Sequence, residues 1–92
     1  MKFEWDEHKA DINFKKHNVH FFEATSLWND ENNLEILDPD SPEDEDRWVR
    51  IGISGAGNLL VVVYAERILR VRIISARKAS KKEAQFYYGS KR

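Results

Sequence analysis

The run Leu59-Leu-Val-Val-Val-Tyr64 constrains the fold more than any other stretch of this chain. Six successive apolar or aromatic residues leave neither face of a strand for water, so the segment belongs inside a sheet that is covered on both sides. The flanking stretches alternate instead. From Arg47 to Ser54, Val49, Ile51 and Ile53 oppose Trp48, Arg50 and Gly52; from Arg70 to Ile74, Val71 and Ile73 oppose Arg70 and Arg72. Period-two alternation of this kind predicts half-buried strands. Gly55-Ala-Gly-Asn58 supplies a turn between the first two strands, and a tight connection near Glu66 to Ile68 leads into the third. Three strands with short links predict an antiparallel meander.

The chain before the meander reads as helical. Lys2 to Trp5 is a short candidate strand, and Asp6 is placed to cap a helix running to about His17. Ala10, Phe14 and His17 recur at helical spacing as its buried stripe, with Lys9, Asn13 and Lys16 as a neighbouring polar one. Asn18 then tolerates the left-handed conformation that ends a helix. Phe21 to Trp28 predicts a second helix, Asn29 to Asn33 a turn, and Leu34 to Leu37 a strand. Asp38 to Asp46 holds both prolines and six carboxylates, the composition of an exposed loop. At the other end, Ser80 and Glu83 have capping-box spacing for a helix to about Tyr88, with Gly89 as its stop. The expected architecture is one α+β domain over residues 1–92. Two N-terminal helices pack on an antiparallel sheet of about four strands, with a possible short N-terminal strand, and a C-terminal helix follows.

Charge is distributed unevenly. Residues 1–46 carry 4 Lys/Arg against 14 Asp/Glu, whereas residues 47–92 carry 11 against 2. The net charge of -1 therefore hides a basic half that suits an anionic partner, unless the two halves neutralise each other across the fold. The chain has no cysteine, so thiolate chemistry and disulfides are excluded and a reducing compartment fits. No apolar run reaches the ~18 residues of a membrane span, and a cytoplasmic protein is expected. His8, His17 and His20 lack the spacing of a shared metal site, and no glycine-rich phosphate loop is present, so neither metal nor cofactor is expected.

The cations are the remaining candidates. Arg50, Arg70 and Arg72 lie on strands, and Arg77, Lys78, Lys81 and Lys82 follow at the strand end and helix start. A helix N-terminus beside Arg77 and Lys78 offers backbone N–H groups and positive charge, which suits a phosphate. Such a set can act on RNA without a metal. The 2′-hydroxyl attacks the adjacent phosphorus while guanidinium groups stabilise the phosphoryl oxygens. Proton transfer then falls to Glu66, Lys78 or His17, with Tyr64, Tyr87 and Tyr88 as weaker candidates. The rival reading is a non-catalytic module whose basic face binds an acidic protein or a nucleic acid.

Trp5-Asp6, Lys9, Asn13 and Lys16-His17-Asn18-Val19, together with Arg47, Ile51-Gly52, Glu66-Arg67 and Arg72-Ile-Ile-Ser-Ala-Arg-Lys-Ala79, resemble the two halves of the BrnT toxin pattern. The resemblance implies a RelE-like ribonuclease fold and RNA cleavage that arrests translation. It also implies neutralisation by a BrnA-type antitoxin that binds operator DNA. On this reading Arg72, Arg77 and Lys78 hold the phosphate, Glu66 or His17 moves protons, and Arg50, Arg70, Lys81 and Lys82 bind RNA. Asn18 stands where that pattern has Gly. Ile68-Leu69 stands where it has a polar, Gly-containing turn, so an exposed apolar pair there would mark a partner contact.

Overall fold

The computed structural model describes residues 1–90 and orders them as β1 (Lys2–Glu4), α1 (Glu7–His17), α2 (Phe21–Thr25), a 3-10 turn (Ser26–Asn29), β2 (Leu34–Leu37), β3 (Arg47–Ile53), β4 (Leu59–Arg67), β5 (Arg70–Lys78) and α3 (Lys81–Gly89). The strands form one sheet in the order β1-β5-β4-β3-β2. β2 to β5 pair antiparallel, but β1 lies parallel to β5, with Phe3 opposite Val71. The sheet is therefore five-stranded and mixed, not an antiparallel sheet of about four strands. A parallel neighbour needs a crossover or a return from elsewhere in the chain, and alternation within three residues carries no information about direction.

β4 separates two apolar layers, as its composition demands. Leu60, Val62 and Tyr64 pack with Val71, Ile73 and Ala76 beneath α2 and the 3-10 turn, which contribute Phe21, Ala24 and Leu27. Val61 points to the other side, where Ile51 and the fully buried Tyr87 of α3 meet it. The Tyr87 hydroxyl donates to Asp30 at 2.5 Å, and the same carboxylate oxygen accepts from the Ile53 amide at 2.8 Å. Desolvation, then that carboxylate, pushes the Tyr87 phenol well above its ordinary range.

β5 does not stop at Ile74 but continues to Lys78. Val63 pairs with Ser75 while Tyr64 pairs with Ile73, so Ile74 is an extra residue in a β-bulge. The bulge shifts the inward phase by one, from Val71 and Ile73 to Ala76. A strict period of two breaks there, which is why the strand appears to end early in the sequence.

Asp6 caps α1 by accepting from the Lys9 amide at 3.0 Å, and Asn18 closes it at φ 58. The buried residue of this helix is not one of the expected apolar stripe but Asn13. Its side chain works as a fragment of strand. The Nδ2 group donates to Ala76 O at 2.8 Å and Val19 O at 3.1 Å, and Oδ1 accepts from Ala76 N at 3.1 Å. β1 pairs with β5 only as far as Arg72. Beyond it, the Asn13 amide takes the backbone groups of Ala76 that a neighbouring strand would otherwise satisfy. The second helix is shorter than expected, since the segment tightens into the 3-10 turn at Ser26.

Candidate functional site

β5 gathers the arginines. By register, Arg70, Arg72 and Arg77 share one sheet face with Ser75, and Arg47 and Arg67 of the neighbouring strands join them. Glu4 bridges Arg70 at 3.3 Å and Arg72 at 2.9 Å. Those bonds, that from Arg72 first, hold the Glu4 carboxyl below its usual range. Glu45, from the acidic loop, reaches Arg67 at 2.9 Å and Arg47 at 3.7 Å. Carboxylates of the acidic half thus sit on arginines of the basic half, so part of the charge asymmetry is neutralised within the fold. Arg47 and Arg67 had no signal of their own in the sequence beyond the resemblance, because their facing depends on strand register.

Arg50 lies on the opposite face. Its guanidinium stacks 4.4 Å from the Trp28 ring centroid and donates to Glu35 and to the Tyr64 hydroxyl, each at 2.9 Å, and also to Asn33. Tyr64 in turn donates to Glu35. Burial pulls the Arg50 pKa down and Glu35 opposes that shift. The structure therefore does not bring Arg50 together with Arg70, Arg72 and Arg77. Glu66 also faces the side of Val71 and Phe3, away from Arg72.

At the β5–α3 junction the expected anion is present, and the protein supplies it. Arg77 forms a bidentate pair with Glu83, both contacts at 2.7 Å. Glu83 also accepts from the Ser80 amide at 2.8 Å, while the Ser80 hydroxyl accepts from the Glu83 amide at 3.2 Å. A capping box and an arginine fork converge on one carboxylate. Arg77 lowers the Glu83 pKa from 4.5 to about 2, and Glu83 raises that of Arg77. Lys78, Lys81 and Lys82 are exposed around this junction and form no ion pair among the described residues.

The His17 side of the molecule meets β5 at its bulge. Lys9, Ile12, Asn13, Lys16 and His17 of α1 line a groove of about 240 Å³ whose other wall is Ile74 and Ser75. One helical face brings Lys9, Lys16 and the imidazole to the edge of β5, and Asn13 fixes the separation of the two walls. Lys9 and Lys16 were legible only as a polar stripe. Their role as one wall of a cationic groove needs the position of β5. Tyr64 and Tyr87 are buried and hydrogen-bonded elsewhere, outside this groove.

Part of each half of the sequence resemblance lines this one groove, Lys9, Asn13, Lys16 and His17 from the first and Ile74 and Ser75 from the second. The sequence model for the ribonuclease toxin BrnT of type II toxin–antitoxin systems matches residues 5–83. The chain belongs to the BrnT family. The crystal structure of the Brucella abortus ribonuclease toxin BrnT is similar, with a TM-score of 0.65 and 25% identity, covering 88% of this chain and 99% of that one. No match is found among curated protein sequences. As a BrnT-family ribonuclease toxin, the chain implies an antitoxin partner. Among the described residues, no helix is long and apolar enough to cross a membrane, and no three His, Asp or Glu side chains gather where they would hold a metal ion.

Proposed function

We propose that this toxin is a metal-independent, RelE-like endoribonuclease, active in the cytoplasm, whose RNA cleavage arrests translation. A BrnA-type antitoxin restrains it and carries the pair to operator DNA. The observation that supports this reading is the meeting of Lys9, Lys16 and His17 with Ile74 and Ser75 at the β5 bulge. Cleavage requires a proton to leave the RNA 2′-hydroxyl as its oxygen bonds to phosphorus, and a proton to reach the departing 5′-oxygen. The products are a 2′,3′-cyclic phosphate and a 5′-hydroxyl. His17 is the residue of this groove suited to proton transfer, and the groove's lysines favour its phosphate. Glu66, on the other face, is left outside. Arg72 stabilises the phosphate, and Lys78, at the end of β5 and on the other sheet face by register, binds the flanking backbone. The Glu4 pair with Arg72 is exposed to solvent that screens it, so a phosphate displaces it readily. Arg77 contributes once RNA competes with Glu83, and Arg70, Lys81 and Lys82 supply diffuse attraction. Arg50 serves the fold.

The test is RNA cleavage by purified protein in excess chelator, with product ends identified. His17→Ala and Arg72→Ala should each reduce the rate by roughly a hundred- to a thousand-fold in folded protein. Lys81→Ala and Lys82→Ala should change only affinity and salt dependence. Activity that chelator removes and a divalent ion restores refutes metal independence. RNA bound but left intact would establish the rival binding module.

A further inference from the structure

The β4–β5 hairpin has a tip that the fold does not require. Arg67 pairs with Arg70, leaving Ile68 and Leu69 as a two-residue loop. These side chains are 92% and 86% exposed, and neither joins an apolar cluster. Leu69 also has φ 65, a conformation that glycine or asparagine adopts at lower cost. Exposed aliphatic surface and backbone strain coincide at one site, and among the described residues neither side chain joins an apolar cluster that would offset them.

The surroundings define what would offset them. An open cavity of about 560 Å³ beside the tip is lined by Leu69, Met1, Lys2, Glu66, Arg67 and Arg70. Lys2 forms no ion pair among the described residues, and Arg67 and Arg70 hold partly exposed pairs with Glu45 and Glu4 that a competing carboxylate can displace. A second copy of the tip would add three more cations, and its Glu4 and Glu45 are already engaged by its own Arg70 and Arg67. An RNA base would find two aliphatic side chains and no ring to stack on. We infer that the Ile68–Leu69 tip anchors the antitoxin, through an acidic segment whose apolar side chains enclose the tip while its carboxylates engage Lys2, Arg67 and Arg70. The inference rests on the toxin–antitoxin reading and not on the location of the RNA groove. From the tip, the segment runs onto the β5 face that carries Arg70 and Arg72.

The experiment uses the double variant Ile68→Asn/Leu69→Gly and the cognate antitoxin, identified as the neighbouring reading frame that suppresses growth arrest. The variant chain alone should melt no lower than the parent, because the turn strain is relieved. Its affinity for purified antitoxin should fall at least ~30-fold, as for loss of a central apolar anchor, and parental affinity should weaken as salt rises. RNA cleavage without antitoxin should be unchanged, whereas stoichiometric antitoxin should no longer stop it. Antitoxin affinity within about threefold of the parent overturns the proposal, as does salt-independent binding of the parent. Sedimentation that reveals a parental homodimer lost in the variant, with antitoxin affinity intact, assigns the tip to self-association instead. Cleavage lost with antitoxin binding intact assigns it to RNA. If the parent cuts no RNA, the ribonuclease reading fails while the affinity comparison still decides the docking site.

Discussion

Replacing Asn13 should unfasten α1 from β5. Asn13→Ala removes three hydrogen bonds, of 2.8, 3.1 and 3.1 Å, and leaves the Ala76 amide, the Ala76 carbonyl and the Val19 carbonyl without their partner. Val19 and Ala76 are 1% and 0% exposed, so water cannot reach these groups without opening the packing. A buried group stripped of its partner costs about 1–3 kcal/mol; taking the low end for each of the three gives a loss of about 3 kcal/mol. That is a large share of the ~5–15 kcal/mol available to a small domain, and corresponds to a fall in melting temperature of roughly 12–24 °C. Urea denaturation followed by circular dichroism, with the slope compared against the parent, measures it. Asn13→Asp supplies a control of nearly equal size. Its carboxylate still accepts from the Ala76 amide but faces two carbonyl oxygens with nothing to donate. Protonation restores one donor, so this variant should regain stability relative to the parent as pH falls. An Asn13→Ala loss below about 1 kcal/mol would contradict the strand-mimic reading. So would an Asn13→Asp variant that follows the parent at every pH.

Two further outcomes follow from the charged clusters. The Glu83 pKa is lowered from 4.5 to about 2; a depressed folded-state value means its contribution is complete above about pH 4.5 and disappears as pH falls toward 2. Because the Arg77 side chain is 43% exposed, solvent screening limits this to about 1 kcal/mol. Glu83→Gln should flatten the stability profile over that acid window, which melting across pH checks. Arg50→Met should lower stability by about 2–3 kcal/mol through loss of a guanidinium held by Trp28, Glu35 and Tyr64. The salt dependence of RNA binding should not change; a reduced slope would return Arg50 to the RNA-contacting set.

Much of this architecture is local and was therefore legible in the sequence. The Asp6 and Asn18 caps and the Ser80–Glu83 box depend on residues a few positions apart, whose geometry any helix imposes. The apolar run of β4 foretold cover on both faces for the same reason. Tertiary structure decided the rest. Whether Asn13 is polar surface or a surrogate strand depends on an edge 63 residues away. Which arginines share a face depends on register and on one bulged residue, Ile74. Arg50 and Arg72 look alike in the sequence, each polar in an alternating strand, yet one stacks on Trp28 and the other meets Glu4 on the opposite face. The pattern in a strand specifies that its two faces differ. Only the packing of helices against the sheet determines which face is filled and which is left to solvent, because that choice is made by contacts between distant segments.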